Sequence, residues 1–402
     1  MAQLRDGVIR RGNSWSYVIR VTDARGVSKP RWVGGFPTER EAKQARDAAR
    51  VAARRGEYVH SNRVTVRQFL TDWLAVHALE VKPRTRAGYA ELISMYVVPH
   101  IGSMRLQAVK PSTLSTLYRD LLAHGGKAGR PLSSRTVNHV HALLRKAFND
   151  AVHADQLLSS NPAVRAKRPR QEKSRDRVDV SWTAEDLRTF LALLEDHRLF
   201  ALFRLAAYTG ARRGELLNLS WDDVALDGDN PRVHITGTVQ VIDSQLVAGT
   251  TKAGQSRIVS IDPGTVAALR EHRTRQEVER QRAMQSWVPG DLVFRREIGA
   301  PLYPSSPTQL MSKRITEYND HLPDGATPLP RIRFHDLRHV HATLLLRAGV
   351  AVHVVARRLG HADPAVTLRT YAHVLADQAA EVATVFASLV DSADEGPTDA
   401  PC

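Results

Sequence analysis

The sequence contains one cysteine among its 402 residues, and that cysteine, Cys402, is the last residue. No disulfide framework and no zinc site built from several cysteines can therefore form within one chain. No apolar run reaches the ~18 residues of a membrane-spanning helix, and the first six residues lack the apolar stretch of a secretory signal. We expect a protein of a reducing compartment, the cytoplasm, with no membrane partner.

Acidic side chains are in the minority. The sequence has 42 aspartates and glutamates against 57 lysines and arginines, which gives a net charge of +15. The basic residues are unevenly placed: residues 1–177 carry 33 basic and 14 acidic side chains, whereas residues 178–402 are slightly acidic. This asymmetry favours a polyanionic partner for the N-terminal half. A charge that serves solubility alone is the alternative.

The first predicted domain, residues 1–58, is a small sheet followed by one helix. Residues 7–21 and 28–36 alternate in the manner of strands, and Thr38 is placed to cap a helix that ends at Arg55. Trp15, Tyr17 and Trp32 belong to the strands. We expect these aromatic side chains in the core of the sheet, with a groove-reading surface as the alternative.

The second predicted domain, residues 64–162, is a helical bundle. Apolar residues recur at three- and four-residue spacing in four segments. The helices are expected to start at Thr65, at Thr85, near Pro111 and at either Ser133 or Ser134. A basic linker over residues 163–180 follows. It is either a solvated connection or a strap that lies along phosphates, and its basic residues are Lys167, Arg168, Arg170, Lys173, Arg175 and Arg177.

The third predicted domain, residues 181–390, combines helices with two strand-like stretches, and residues 391–402 form an acidic tail that we expect to be disordered. Its first helix is expected to start at Thr183, with Asp186 in the capping position. The fold class that follows is mainly α with small β elements (α+β). A nucleotide-binding G-x-x-x-x-G-K-[ST] loop is missing, since Gly126-Lys127 is followed by Ala128.

Five short segments of the third domain carry chemically informative side chains. Taken alone, each segment is weak evidence for a function. Arg212 follows a helix-ending Gly210, Lys252 lies near the tip of a predicted hairpin, and Tyr371 has the pattern of a core residue. His335 and Arg338 share one helix face and present an imidazole and a guanidinium to the same point. His335 and His339 have the spacing of zinc ligands, but the glutamate of H-E-x-x-H is absent. We therefore expect no metal.

Together, the order R, K, H-x-x-R, H, Y resembles the signature of the tyrosine recombinases, or phage-type integrases. The matching strings are T-G-A-R-R-G-E, T-K-A-G-Q-S-R, H-D-L-R-H-V-H-A-T, R-R-L-G-H and T-L-R-T-Y-A-H-V. The resemblance covers residues 64–390. Residues 1–58 additionally look like the arm-type DNA-binding domain of lambda-like and conjugative-element integrases. The implied architecture is an arm-binding domain, a helical core-binding bundle and a mixed, mostly helical catalytic domain.

The resemblance implies a site-specific DNA recombinase that integrates or excises a phage or mobile element. Tyr371 would attack a DNA phosphodiester and form a 3′-phosphotyrosyl link, with His335 as the general base. Arg212 and Arg338 would bind the non-bridging phosphate oxygens. Three further site residues are expected. Lys252 would donate a proton to the departing 5′-oxygen, and His361 would bind a phosphate oxygen. Glu215 would orient Arg212.

The implied partners are double-stranded DNA at core and arm-type sites and three further copies of the chain, with a directionality factor and a DNA-bending protein as candidate accessories. No cofactor is expected, and the DNA-bound protein would be associated with the nucleoid. The six basic linker residues are expected DNA contacts. Three other functions stay open from the residues alone: a relaxing topoisomerase, a non-catalytic DNA-binding regulator on the same scaffold, and a metal-dependent nuclease.

Overall fold

The computed structural model describes residues 7–22, 28–54, 58–59, 61–170, 182–250, 254, 256–376 and 386–387. The chain divides into two compact units, Met1–Ser174 and Arg175–Cys402, which are treated separately below. Within the described residues, no helix has both the length and the apolar character needed to cross a bilayer.

The first unit begins with a three-stranded antiparallel sheet and one helix. The strands are β1 (Val8–Arg11), β2 (Ser14–Thr22) and β3 (Ser28–Phe36), paired in that order, and the helix is α1 (Glu39–Arg54). The prediction of a single strand over residues 7–21 is wrong, because a tight turn at Gly12 and Asn13 divides it into a hairpin. Thr38 caps α1 as expected: its hydroxyl accepts from the Glu41 amide at 3.2 Å. The predicted turn after β2 lies outside the described residues.

One face of this sheet packs on the alanine-rich face of α1. Tyr17 and Ile19, two residues apart on β2, are both buried there, against Ala42 and Ala49. The expectation that the strand aromatics are all core residues is wrong for Trp32. Its side chain is 40% exposed, and the Arg11 guanidinium lies 4.4 Å from its ring centroid, because β3 turns this position away from the helix.

A helical bundle forms the rest of the first unit. A π-helical turn joins its second and third helices, and side-chain caps at Thr65 and Ser133 begin the first and last. The helices are α2 (Val66–His77), α3 (Pro83–Leu92), α4 (Val98–Ile101), α5 (Pro111–His124) and α6 (Ser134–His153). The indole of Trp73 donates to Asp150 at 2.8 Å, so the polar atom of a buried ring is satisfied across the bundle.

The described part of the predicted linker lies against the bundle. Arg168 donates to the Asn138 side-chain oxygen at 3.1 Å, and the Asn138 amide donates to the Pro169 carbonyl at 3.2 Å. The backbone amide of Lys167 donates to Ser115 at 2.9 Å. These bonds fix the start of the segment on α5 and α6, and the side chains of Lys167 and Arg170 are exposed.

The second unit is mostly helical, and its helices are α7 (Ala184–Ala192), α8 (Phe200–Thr209), α9 (Arg213–Leu216), α10 (Pro263–Ala283), α11 (Ser305–Asp320), α12 (Asp336–Arg347), α13 (Val352–Leu359) and α14 (Pro364–Ala376). A three-stranded antiparallel sheet contains β4 (Val224–Ala225), β5 (Arg232–Ile235) and β8 (Arg257–Ser260), paired in that order, and a separate hairpin consists of β6 (Gly237–Ile242) and β7 (Gln245–Thr250). The predicted strand over residues 233–241 is divided at Thr236 between the sheet and the hairpin. The predicted fold class, mainly helical with small sheets, is confirmed.

Helix α8 is the centre of this unit. It is buried along nearly its whole length, and Phe203 lies between Phe190 and Phe334 in edge-on contacts. Trp182 is fully buried at the edge of the same cluster, and its indole donates to the Pro330 carbonyl at 2.9 Å. Thr183 then caps α7 together with Asp186, as predicted. A helix held on every side gives a rigid base for the residues that follow its end.

Gly210 ends α8 in the left-handed conformation, with a φ of 63°. A Cβ at this position would lie 2.6 Å from a methyl carbon of Leu359 and 2.9 Å from the His341 ring. Two requirements therefore select glycine here: the backbone conformation and the close approach of α12 and α13.

We predict that Gly210→Ala lowers the free energy of unfolding by about 2–4 kcal/mol, because left-handed strain and overpacking add. Gly228→Ala is the matched control: its φ is 85°, and no atom lies within 4 Å of the added carbon. The control should lose only about 1–2 kcal/mol. Urea unfolding of both variants measures the difference, and equal losses would contradict the packing argument.

Candidate active site

A buried carboxylate joins two arginines at the start of α9. The Glu215 side chain is 1% exposed and accepts from the backbone amide of Arg212 at 2.9 Å and from its Nη1 at 2.8 Å. The Arg257 guanidinium donates to the same carboxylate at 2.7 and 3.2 Å. Arg257 also donates through Nε to the Arg358 carbonyl at 3.0 Å. The bonds therefore connect α9, β8 and the end of α13.

Glu215 is held as an anion. Burial by itself would raise the pKa of this carboxyl, but the hydrogen bonds and charge of Arg257, followed by the bonds from Arg212, outweigh burial and lower the pKa. A carboxylate shared in this way has no free capacity to act as a base. It orients Arg212, whose side chain is 25% exposed and reaches the surface of the unit.

Arg338 is the most buried of the site's arginines. The residue, on α12, is only 4% exposed, and its Nη1 donates to the Gly210 carbonyl at 2.8 Å. Its Nη2 is buried and has no hydrogen-bond partner in the part of the chain that the structure describes. Burial and the nearby Arg212 charge lower the pKa of Arg338 to about 9, so the group stays charged at neutral pH. A buried cation with an unsatisfied donor favours an anionic ligand.

Tyr371 lies on α14, at a point where the helix departs from helical geometry. The residue is 3% exposed and packs with Leu346, Val355 and Leu359. Burial raises the pKa of its phenol to about 12, against a smaller opposite effect of the Arg338 charge. Its hydroxyl lies 2.9 Å from Nδ1 of His339. At neutral pH this tyrosine is therefore a protonated phenol with an imidazole beside its oxygen.

Two further histidines face the same guanidiniums. His335 immediately precedes α12, reaches the surface, and stacks edge-on against His339 with ring centroids 5.6 Å apart. Partial loss of solvent around its ring, together with His339 and Arg338, lowers its pKa. His361 follows α13, and its Nδ1 lies 2.6 Å from the buried Thr367 hydroxyl. Burial, then the Arg338 charge, lowers its pKa to about 4, so both imidazoles are neutral at pH 7.

A buried contact between His341 and Arg358 supports the site on the side of α8. Nδ1 of His341 donates to the Ala207 carbonyl at 2.9 Å, so its Nε2 is left to accept from Arg358 Nε at 3.1 Å. Arg358 also donates to the Tyr208 carbonyl at 2.8 Å. Burial and the Arg358 charge lower the pKa of His341 to about 4. Only the neutral imidazole fits, and it ties α12 and α13 to the end of α8.

The structure thus brings six of the predicted site residues into one cluster of the second unit: Arg212, Glu215, His335, Arg338, His361 and Tyr371. The expected proton donor Lys252 lies outside the described residues, between β7 and β8. Among the six linker residues, three are described in the first unit and three are outside the described residues, namely Lys173, Arg175 and Arg177. The roles assigned to all of these residues stay predictions.

Sequence reasoning missed two members of the cluster. Arg257 ends the string T-K-A-G-Q-S-R, and nothing in its spacing signals that it pairs with Glu215 across the fold. His339 was considered only as a zinc ligand, although its position one turn after His335 places it on the same helix face. Among the described residues, no group of three histidine, cysteine or acidic side chains is arranged to hold a metal ion.

Comparison with family models accounts for most of the chain. Residues 181–378 match the model described as the phage integrase family, residues 65–122 match the N-terminal SAM-like domain of phage integrases, and residues 9–48 match an arm DNA-binding domain. A tyrosine recombinase XerC-like protein of Caldanaerobacter subterraneus is 28% identical over 357 residues, which are 85% of this chain and 87% of the relative. The ICEBs1 integrase of Bacillus subtilis is 26% identical over 86% of this chain and 87% of its own length.

Solved structures with the same fold include two integrases. The Tn1549 transposon integrase in complex with transposon right-end DNA aligns with a TM-score of 0.65 and 18% identity, over 82% of this chain and 100% of its own. A lambda integrase tetramer bound to a Holliday junction aligns with a TM-score of 0.54 and 17% identity, over 90% and 97%.

The neutral His341 predicts a pH dependence of stability. The pKa of His341 is about 4 in the folded protein and 6.5 ordinarily. At a pH between these two values, the imidazole is therefore protonated in the unfolded chain and neutral in the folded chain. The free energy of unfolding should therefore fall as the pH drops from about 7.5 to about 5.5. Urea unfolding at the two pH values measures the change.

His341→Gln should reduce this loss, whereas His353→Gln, at an exposed histidine of α13, should leave it as in the unaltered protein. An equal pH dependence in all three proteins would contradict the role given to His341.

Proposed function

The chain belongs to the phage integrase family of tyrosine recombinases and is a site-specific DNA recombinase, and we propose that it cuts and rejoins DNA through a covalent bond between Tyr371 and a 3′-phosphate. The observation that carries this proposal is the clustering of a buried phenol, two neutral imidazoles and two arginines around one point of the second unit. In the cell the reaction would integrate or excise a phage or other mobile element.

Arg212 and Arg338 would bind the two non-bridging oxygens of the scissile phosphate. Arg338 supports this role because its charge is buried and its Nη2 lacks a partner among the described residues. Arg212 supports it because Glu215 orients a guanidinium that still reaches the surface. Two fixed guanidiniums offset the charge that builds on the pentacovalent phosphorus, and they need no reorganisation during the reaction.

The strand cut is a transesterification. Tyr371 Oη forms a bond to phosphorus while the bond from phosphorus to the 5′-oxygen breaks. The phenol proton passes to an imidazole, for which His335 was predicted, and Lys252 would give a proton to the departing 5′-oxygen. His361 would donate to a phosphate oxygen from Nε2 while Thr367 holds its Nδ1. Attack by another 5′-hydroxyl reverses each step and rejoins the strands, so the sequence of bonds needs no nucleotide.

DNA is the proposed partner of both units. The first unit carries the basic excess, and its β-sheet domain matches an arm DNA-binding model over residues 9–48. The titles of the aligned structures describe a transposon integrase on transposon-end DNA and a lambda integrase tetramer on a Holliday junction. For this chain we propose binding to core and arm-type attachment sites, and an assembly of four copies that acts on two duplexes. A directionality factor and a DNA-bending protein remain candidate accessories.

We predict that Tyr371→Phe abolishes covalent protein–DNA adducts, because the oxygen that attacks phosphorus is gone. The measurement uses nicked suicide duplexes cut from the DNA that flanks the gene in its host, with adducts trapped by denaturing detergent. Tyr303→Phe is the matched control, since this exposed tyrosine donates to the Ser244 carbonyl away from the cluster. Adducts formed by Tyr371→Phe would refute the nucleophile.

The same assay separates the alternative functions. EDTA should leave the adduct yield unchanged, whereas loss of cleavage in EDTA would favour a metal-dependent nuclease. Relaxation of any supercoiled plasmid without site preference would favour a topoisomerase. Binding without cleavage of any site would favour a regulator.

We predict that deletion of residues 1–62 spares adduct formation on core-site DNA and impairs integration. The deletion removes 13 basic and 6 acidic side chains, so the dependence of DNA affinity on salt should become less steep. Affinity measured over a series of salt concentrations, in parallel with an integration assay, checks both expectations. Loss of core-site cleavage in the truncated chain would contradict the role given to this domain.

A further inference from the structure

The contact between His339 and Tyr371 is the part of the cluster that the predicted mechanism leaves unused. Nδ1 of His339 lies 2.9 Å from the phenolic oxygen, and the two ring centroids are 5.8 Å apart at an interplanar angle of 55°. His335, the predicted general base, instead reaches the surface and meets the edge of the His339 ring. Within the described residues, the hydrogen-bond partner of the Tyr371 hydroxyl is therefore His339.

The contact has the geometry that proton transfer requires. A donor–acceptor distance of 2.9 Å is within the range of about 2.6–3.2 Å in which a side chain accepts a proton directly. A phenol is a poor nucleophile at neutral pH, because its ordinary pKa is about 10. Burial of Tyr371 raises that pKa further, so the oxygen can attack only as its proton leaves. An acceptor already in place lowers the cost of that step.

The backbone of α12 fixes the position of His339 beside Tyr371. Both Arg338 and His339 belong to α12, which is anchored at the end of α8 by the bonds of Arg338 to Gly210 and of His341 to Ala207. Tyr371 packs against α12 through Leu346. The helix therefore carries a phosphate-binding guanidinium and, on the next residue, an imidazole that meets the nucleophile.

We propose that His339 is a catalytic residue, which aligns the Tyr371 hydroxyl through Nδ1 and accepts its proton as the oxygen attacks phosphorus. This inference rests on the proposed function. The proton moves from Oη to Nδ1, the bond from Oη to phosphorus forms, and the bond from phosphorus to the 5′-oxygen breaks; that oxygen takes its proton from the general acid, assigned above to Lys252. His335, at the surface, is then not the first acceptor of the phenol proton.

The rate of adduct formation on the suicide duplexes tests the proposal. We expect His339→Ala to lower the rate about 100-fold or more, the usual contribution of a positioned acid or base. Retention of the duplexes on filters should stay within threefold of the unaltered protein, because DNA binding does not use this contact. Added imidazole, the ring that the substitution removes, should restore at least a tenth of the lost rate.

Two further variants sharpen the test. His339→Gln keeps a hydrogen-bond acceptor but cannot take a proton, so it should be slow and unresponsive to imidazole. His353→Ala, an exposed histidine on α13, should behave as the unaltered protein with and without imidazole. Melting temperatures of all variants identify any that fail to fold, and His339→Gln, which preserves side-chain volume better, then replaces His339→Ala for the rate comparison.

Four outcomes would overturn the inference: a His339→Ala rate within threefold of the unaltered protein, a full rate in His339→Gln, a slow His339→Ala that imidazole does not restore, or rescue by imidazole of His335→Ala alone. Failure of the proposed function looks different, because the unaltered protein itself would then form no adduct on any duplex. Adducts in the unaltered protein together with fast His339→Ala would refute only the role of His339.

Discussion

The burial of one positive charge is the constraint around which the second unit is organised. The Arg338 guanidinium is almost wholly removed from water, and among the described residues its hydrogen-bond acceptor is a neutral carbonyl, that of Gly210. Burial of a charge whose hydrogen bonds are incomplete is costly, and an anion that binds to it offsets the cost. Under the proposed function, that anion is the scissile phosphate.

Among the described residues, none accepts a hydrogen bond from Nη2 of Arg338. Glu215 is the nearby carboxylate, and its charge favours the charged form of Arg338, but its hydrogen bonds go to Arg212 and Arg257. His335 and His361 are neutral at pH 7, since burial and the neighbouring charges oppose their protonation. The result is a site whose positive charge comes from arginines that are held in place by backbone carbonyls and one shared carboxylate.

The sequence predicted much of this arrangement, and its errors have physical causes. The caps at Thr38, Thr65 and Thr183 are predicted correctly because capping depends on residues three positions apart, and Ser133 is the one of two candidate serines that caps α6. The start at Thr85 is wrong, because α3 already begins at Pro83, whose fixed φ suits a first helical position. The split of the first strand was missed, since a two-residue turn leaves the alternation of apolar residues almost unchanged. Arg257 and His339 could not be assigned, because a pairing with Glu215 or Tyr371 depends on contacts between elements distant in the chain. Which strand face Trp32 occupies likewise depends on where α1 packs.

The seclusion of Tyr371 has one more consequence. With 3% of its surface exposed, the phenol lies in a part of the second unit that is nearly closed to solvent. Under the proposed function, the same burial would keep water away from a phosphotyrosyl bond at this oxygen, so that the covalent link would persist until a 5′-hydroxyl attacks it.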